Sequence, residues 1–225
     1  MIIFPDIHGR DFWKEHKDQD DTFIFLGDYV DPYPRENISS KTVIENLEEI
    51  IEFQNSGKKV ITLAGNHDLT YISPEHSRRC RFDHENQKVI SDLLKKLDLY
   101  IFWTIEDHGK QWVFSHAGLN IGWYNTHCLG TPILQTTEII NNEFRKDNPA
   151  YLKILAEANW YWRGGDHSYG SPLWCDLREF HPATDKEYQI FGHTQLVKEP
   201  VITNEYACLD CRRAFKLEGG KICGL

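Results

Sequence analysis

Five short segments constrain the fold of this chain most, because each places a polar side chain beside glycine or another small residue directly after an apolar run. The segments are Asp6-Ile7-His8-Gly9, Gly27-Asp28-Tyr29-Val30-Asp31, Gly65-Asn66-His67-Asp68, His116-Ala117-Gly118 and Gly192-His193-Thr194. An apolar run that stops at such a segment is typical of a strand followed by a tight turn. Open α/β sheets bind ligands where their strands end. We therefore expect the fold to bring these distant segments onto one rim.

The side chains in these segments are ligands for divalent metal ions. The candidates are Asp6, His8, Asp28, Asn66, His116 and His193. Carboxylate, carboxamide and imidazole groups without a thiolate favour Mn, Fe or Zn over a structural thiolate zinc site. Asp6 and His8, two apart on an extended segment, share a face and can close on one ion. The set is large enough for two ions, which about 3.5–4 Å apart serve hydrolytic displacement at phosphorus.

Strand and helix patterns alternate in the first half of the chain. Strands are predicted over residues 2–4, 22–26 and 59–63, and helices over 40–54 and 85–97. The strands are almost continuously apolar, which is typical of sheets covered on both faces. The first helix has an apolar face at helical spacing, and Ser39 or Ser40 can cap it.

The second half is richer in strands. They are predicted over residues 100–105, 111–115, 188–191, 201–203, 206–209 and 214–217, with a last one at Ile222. A βαβ half followed by a mostly antiparallel half predicts a mixed α/β fold of two packed mixed sheets flanked by helices. Residues 119–182 interrupt this pattern and predict a helical insert, or lid, with helices over 137–145 and 151–160. We expect a single domain over residues 1–225.

Composition limits the partners and the compartment. The formal net charge of −9 argues against capture of nucleic acid or an anionic membrane by bulk charge. Arg78, Arg79 and Arg81 form the one compact basic cluster, for which a solvated surface is the simpler interpretation. Met1 leads directly into an apolar strand, and no apolar run approaches the length of a membrane span. We expect a cytoplasmic protein with reduced cysteines.

The ordered series Asp-x-His-Gly, Gly-Asp-x-Val-Asp, Gly-Asn-His-Asp, His-Ala-Gly and Gly-His-Thr resembles the calcineurin-like metallophosphoesterases. Within them it is most similar to the phosphoprotein phosphatase branch, which includes serine/threonine phosphatases and diadenosine tetraphosphate hydrolases. The matching segments run from Asp6 to His193. The resemblance implies an αββα sandwich with a lid.

The resemblance also implies roles for the matched residues. Asp6 and His8 would hold the first ion, Asp28 would bridge, and a second ion would be held by Asn66, His116 and His193. His67 would be the general acid, oriented by Asp31. Manganese is the first expectation, with iron or zinc as alternatives. Metal-acidified water would attack the phosphoester directly, without a phosphoenzyme.

The chain departs from the branch where a phosphate-clamping arginine usually follows Gly-Asp-x-Val-Asp. Pro32 stands at that position, and the next arginine is Arg35, three positions later in a loop stiffened by two prolines. Arg35 can reach back to phosphate or can be a solvated loop residue. Arg163, among the aromatic residues of the insert and before two glycines, is the better candidate clamp, with cation–π packing as the alternative.

These features predict a dinuclear-metal phosphomonoesterase, with a serine/threonine-type protein phosphatase as the first assignment. A nucleotidase, a diadenosine tetraphosphate hydrolase or a nucleic-acid end phosphatase is the alternative, because the aromatic residues of the insert could stack on a base as readily as frame a peptide. A non-catalytic binding module is the remote alternative. The expected substrates are phosphorylated proteins or small phosphoesters. No membrane partner is expected, and nucleic acid is expected only as an end-phosphate substrate.

Overall fold

The computed structural model describes residues 1–73 and 80–225 of the chain. The chain divides into two compact units. The first unit consists of Met1–Leu99 together with Arg212–Leu225, and the second consists of Tyr100–Cys211. The first unit is therefore built from both ends of the chain.

The described residues contain eleven strands in two mixed sheets. The strands are β1 (Ile2–Phe4), β2 (Phe23–Phe25), β3 (Val60–Leu63), β4 (Leu99–Tyr100), β5 (Phe102–Asp107), β6 (Lys110–Ser115), β7 (Tyr188–Phe191), β8 (Val201–Ile202), β9 (Tyr206–Cys208), β10 (Phe215–Glu218) and β11 (Lys221–Gly224). The first sheet has the order β11-β10-β1-β2-β3-β4, and the second has the order β5-β6-β7-β9-β8.

Seven α-helices are present in the same described ranges. They are α1 (Ser40–Gln54), α2 (Asn66–Ile72), α3 (Gln87–Leu94), α4 (Ile121–His127), α5 (Ile133–Arg145), α6 (Pro149–Leu155) and α7 (Trp160–Arg163). The prediction of a mixed α/β fold with two mixed sheets and helices is confirmed.

Parallel pairing at the centre of each sheet positions the predicted ligands. β1 pairs with β2 and β2 with β3, both in parallel, and all three strands are fully apolar or nearly so. β6 pairs with β7 and β7 with β9, again in parallel. Parallel strands end at the same edge of a sheet, so the segments that follow neighbouring strands within each sheet are brought together.

Two helix predictions show how local capping sets the helix ends. The bounds of α1 agree with the prediction, and Ser39 supplies its cap by accepting a hydrogen bond from the Thr42 backbone N–H at 3.1 Å. The helix predicted over 85–97 is shorter and ends at Leu94. It starts only at Gln87, because the backbone N–H groups of Glu85 and Asn86 donate to Asp83 Oδ1.

The prediction that the second half is mostly antiparallel is confirmed for the described strands, because four of the six pairings that involve β5 to β11 are antiparallel and two are parallel. The second sheet has two parallel and two antiparallel pairings. The last two strands, β10 and β11, leave it and join the first sheet, where β10 lies antiparallel to β1. Local alternation reveals that a segment is a strand, but not which distant strand it pairs with.

The helical character predicted for residues 119–182 is confirmed, with different bounds. The segment contributes four helices to the second unit, α4 to α7. α5 begins four residues earlier than predicted, at Ile133, and the helix predicted over 151–160 ends at Leu155. The single-domain assignment and the role of this segment as a lid stay predictions.

Within residues 1–73 and 80–225, no helix has both the length and the apolar character that crossing a bilayer requires.

Candidate metal centre

The first unit brings four of the six predicted ligands to one edge of its sheet. Asp6 and His8 follow β1, Asp28 follows β2, and Asn66 begins α2 after β3. All four side chains are buried. Charged and polar groups at such depth require compensation, which hydrogen bonds, ion pairs or a metal ion provide.

His8 has the protonation and orientation of a metal ligand. Its Nδ1 lies 2.7 Å from the carbonyl oxygen of Val30, and because a carbonyl only accepts, Nδ1 carries the proton. Burial, reinforced by the charge of His67, holds the pKa of His8 well below its ordinary value, so the ring is neutral. The Nε2 lone pair then faces Asp28 Oδ2 at 3.5 Å and Asp6 Oδ2 at 4.0 Å.

Three electron-pair donors that face one another repel unless a proton or a metal cation lies among them. His8, Asp28 and His67 also offer ligand atoms that all lie within 4.8 Å of one another. An imidazole nitrogen and carboxylate oxygens are ligands that Zn, Mn and Fe accept. The residues therefore fit a divalent metal ion.

Asp28 is held in place by the carboxylate of Asp68, for which the sequence motifs predict no role. Asp68 accepts hydrogen bonds from the backbone N–H groups of Asp28 at 2.7 Å, Tyr29 at 3.0 Å and Gly65 at 2.8 Å. Burial raises the pKa of Asp28 well above its ordinary value, and the charges of Asp6 and Asp68 raise it further. Burial also raises the pKa of Asp68 to about 7, although its three N–H donors oppose the shift. Such a concentration of buried carboxylates favours cation binding.

Three site residues of the first unit have left-handed backbone conformations. The φ angles are 47° for His8, 54° for Asp28 and 58° for Asp31. A residue other than glycine in this region costs about 1–3 kcal/mol. Hydrogen bonds to Val30 and Asp68 hold this conformation at His8 and Asp28. The backbone strain therefore lowers local stability while it directs these side chains into the site.

His67 and Asp31, the predicted general acid and its orienting group, form a buried pair. His67 Nδ1 lies 2.7 Å from Asp31 Oδ2, and the His67 backbone N–H donates to Asp28 Oδ1 at 2.9 Å. The His67 ring packs edge-on against that of His8, with 5.1 Å between the ring centroids. Burial raises the pKa of Asp31 to about 7, against the lowering effects of Tyr71 and Arg81.

The loop after Asp31 is held by an arginine from elsewhere in the sequence. Arg81 donates to the backbone carbonyls of Asp31 at 2.7 Å and Pro32 at 3.3 Å, and its guanidinium lies 3.9 Å from the Tyr33 ring centroid. Arg35 is exposed, with its guanidinium 5.4 Å from the same ring. Its role as a phosphate clamp stays a prediction. The other two arginines of the basic cluster, at 78 and 79, lie outside the described residues.

The second unit brings its own two predicted ligands together. His116 follows β6 and His193 follows β7, and both are buried. His116 Nε2 lies 3.1 Å from His193 Nδ1. Two nitrogen ligands of one ion, each about 2.1 Å from it at right or tetrahedral angles, would lie about 3.0–3.4 Å apart. The backbone of His193 is left-handed, with a φ of 65°, as is the backbone of the three site residues of the first unit described above.

Arg163 reaches the loop of His193. Its Nη2 donates to Thr194 Oγ1 at 3.0 Å and to the His193 carbonyl at 3.4 Å. Its Nε pairs with the buried carboxylate of Asp176 at 2.9 Å, and Arg178 pairs with the same carboxylate at 2.7 Å. Burial by itself would raise the pKa of Asp176, but the Arg178 hydrogen bond and the charge of Arg163 outweigh it and hold the pKa low. Asp176 thus fixes Arg163 beside His193.

Sequence reasoning gave no role to Asp68, Tyr71 or Asp176. A signal existed for Asp68, which stands three residues after Gly65 at the start of α2, where acidic residues accept backbone N–H bonds. Tyr71 lies four residues after His67 on the same helix and therefore on the same face. Nothing local distinguished Asp176, because its partner Arg163 is 13 residues distant in sequence.

The sequence profile of the calcineurin-like phosphoesterases matches residues 3–196. The chain therefore belongs to the calcineurin-like phosphoesterase family, whose members are metal-dependent phosphoester hydrolases. Comparison with curated proteins gives no significant match. The assignment to the phosphoprotein phosphatase branch, and the role of each site residue, stay predictions.

Proposed function

We propose that this protein is a dinuclear-metal phosphomonoesterase of the serine/threonine protein phosphatase type. The observation that carries the proposal is the neutral His8 imidazole, whose Nε2 lone pair faces two carboxylates, Asp6 and Asp28. A divalent cation among the three groups stabilises this arrangement, whereas without one the groups repel unless a carboxyl group keeps its proton.

Asp6 and His8 are assigned to the first ion, and Asp28, with two carboxylate oxygens, to both ions. Asn66, His116 and His193 are assigned to the second. The order of the motifs along the chain supports the assignment of His116 and His193 to the same metal centre as Asp28. Bound ions would neutralise phosphate charge and lower the pKa of a water molecule, which is the chemistry that direct hydrolysis at phosphorus requires.

The proton for the leaving group is assigned to His67. Its Nδ1 is engaged with Asp31, so Nε2 is the atom that would carry and donate a proton to the leaving oxygen. Arg163 is assigned to the phosphate, because a guanidinium has five donors, of which Asp176, Thr194 and the His193 carbonyl engage only part.

The phosphatase type is supported by the residue after Gly192-His193-Thr194. Gln195 stands where broader members of the superfamily have a second histidine. This difference resembles the protein phosphatase branch, and it leaves the first ion with fewer protein ligands.

A nucleotide phosphatase is the second candidate. Trp160, Tyr161 and Trp162 are 68%, 70% and 45% exposed on α7, directly before Arg163. Exposed aromatic faces beside a guanidinium can stack on a nucleobase while the phosphate binds the arginine. A phosphopeptide with apolar side chains could use the same surface.

The test is Mn²⁺-dependent hydrolysis of p-nitrophenyl phosphate, a phosphoserine peptide and adenosine monophosphate by the purified protein. We expect Asp28→Asn to abolish the Mn²⁺-dependent rate and Asp20→Asn, at an exposed position outside the site, to leave it unchanged. Faster turnover of the peptide supports the first candidate, and faster turnover of the nucleotide supports the second. An Asp28→Asn protein with the wild-type rate would refute both.

A further inference from the structure

The Asp31 carboxylate has two engaged oxygens, and only one of them contacts His67. Asp31 Oδ2 binds His67 Nδ1 at 2.7 Å, and Asp31 Oδ1 accepts a hydrogen bond from the Tyr71 hydroxyl at 2.5 Å. Tyr71 is buried, and its ring stacks on Phe82 with 4.4 Å between the centroids. His67, Asp31 and Tyr71 thus form a continuous chain of hydrogen bonds.

A third group determines which atoms donate and which accept along this series of hydrogen bonds. The backbone N–H of Asp83 donates to the Tyr71 oxygen at 2.8 Å. Because that N–H can only donate, the Tyr71 proton is left to point at Asp31. The carboxylate is therefore an acceptor at Oδ1, and Oδ2 remains available as an acceptor for the His67 N–H.

Asp31 needs such support, because its backbone is left-handed. Arg81 holds its carbonyl group at 2.7 Å, but among the described residues only Tyr71 and His67 form hydrogen bonds with the carboxylate and so set its direction. A carboxylate tethered at one oxygen presents the other in a fixed direction. The imidazole that binds there is oriented in turn.

We propose that Tyr71 is a positioning residue for phosphoester hydrolysis: through Asp31, its hydroxyl fixes the His67 imidazole in the orientation that presents Nε2 to the leaving oxygen. The inference rests on the proposed function for its catalytic consequence. His67 and Tyr71 stand four residues apart on α2, so one helical face carries both ends of the arrangement.

The variant that tests the proposal is Tyr71→Phe, which removes the hydroxyl and keeps the ring against Phe82. Tyr188→Phe is the matched control, since Tyr188 is also buried and its hydroxyl donates to a backbone carbonyl, that of Thr203, at 3.0 Å. The substrates are phenyl phosphate, whose leaving group needs a proton, and p-nitrophenyl phosphate, whose leaving group needs it far less.

We expect Tyr71→Phe to lower kcat for phenyl phosphate about 10- to 100-fold, with KM within about twofold and a much smaller loss on p-nitrophenyl phosphate. Tyr188→Phe should change neither substrate. In an Asp31→Asn background, Tyr71→Phe should have no further effect, since the connection to His67 is already broken. Equal losses on both substrates, or an undiminished loss in the Asp31→Asn background, would overturn the proposal.

A second readout does not require turnover. We expect the proton on His67 Nδ1, shared with Asp31, to give a downfield ¹H NMR resonance in the metal-free protein, which is assigned by its loss in His67→Ala. We expect Tyr71→Phe to shift this resonance and Tyr188→Phe to leave it in place. A resonance unmoved by Tyr71→Phe contradicts the coupling. Wild-type protein that hydrolyses neither ester with Mn²⁺ would instead refute the proposed function, and the NMR comparison would still decide the role of Tyr71.

Discussion

His8 Nε2 lies 3.5 Å from Asp28 Oδ2, and the proton of the same ring is on Nδ1, bound to the Val30 carbonyl. An unprotonated nitrogen thus faces a buried carboxylate. The contact is favourable with a proton or a cation between the two groups, and a metal ion there ties the local geometry of two loops to the family's metal-dependent chemistry.

The metal-free protein should lose stability as the pH rises from about 6.5 to 8. The pKa values of Asp31 and Asp68 are raised to about 7, so the folded state binds their protons more tightly than the unfolded state, where carboxyl pKa values are about 4. This contribution is complete below the unfolded pKa and lost as the pH passes the folded pKa. His8 has the opposite sign, because its folded-state pKa is lowered, but its ordinary pKa is about 6.5, so its gain is nearly complete by about pH 7.5 and is smaller than the loss from the two carboxyl groups.

We expect a loss on the order of 1–2 kcal/mol in the free energy of unfolding over this range, measured by urea denaturation in the presence of a chelator. Saturating Mn²⁺ should remove the dependence, because the cation stabilises the ionised carboxylates. Stability that is flat or rises over the same range without metal would show that these carboxylates are already compensated.

His67→Ala should lower kcat for phenyl phosphate about 10²- to 10⁴-fold, because the leaving phenoxide would depart without a proton. His127→Ala is the matched control. His127 Nε2 lies 2.7 Å from Glu157 Oε2, the same separation as in the His67–Asp31 pair, but it belongs to neither ligand set. Steady-state kinetics compare the two variants, and equal losses would mean that His67 has no special role.

Arg163→Ala should raise KM for phosphoesters about tenfold or more, which corresponds to about 1.4 kcal/mol of binding. Arg178→Ala is the control, since both arginines pair with Asp176, Arg178 through both carboxylate oxygens, but only Arg163 contacts the His193 loop. Both variants should lose similar stability by thermal melting. If Arg178→Ala raises KM equally, the effect belongs to Asp176 and its surroundings rather than to a phosphate contact.

Gly65→Ala should weaken Mn²⁺ binding and destabilise the protein by about 1–3 kcal/mol. The backbone at Gly65 is extended, so alanine is allowed there, but its methyl group would overlap the carboxylate and backbone nitrogen of Asp28. Gly57→Ala, where a methyl group meets open space at a φ of 88°, should cost about 1–2 kcal/mol without changing Mn²⁺ affinity. Calorimetric titration with Mn²⁺ compares the affinity of the two variants. An unchanged affinity in Gly65→Ala would contradict the close contact between Gly65 and Asp28.

The sequence predicted the site as far as local patterns reach. Asp6, Asp28 and Asn66 follow apolar strands that are parallel neighbours, so their proximity could be deduced from strand order alone. The bounds of α1 followed from its cap and apolar face. Both inferences depend on local patterns, in which each residue is interpreted from its neighbours in the chain.

Pairings across long sequence separations could not be predicted. β10 adds to the first sheet beside β1, more than 200 residues away, and no alternation pattern specifies that partner. Tyr71 and Arg81 both act on Asp31 through contacts that appear only once the loop after β2 is folded. The groups that hold the site residues in place are for this reason less visible in sequence than the site residues themselves.

An anomalous difference map at the manganese absorption edge, from crystals grown with Mn²⁺, tests the metal centre most directly. The account predicts two manganese peaks about 3.5–4 Å apart, both bound to Asp28 and one of them to His8 Nε2. A crystal of protein that hydrolyses phosphoesters but shows no manganese at Asp28 would contradict it.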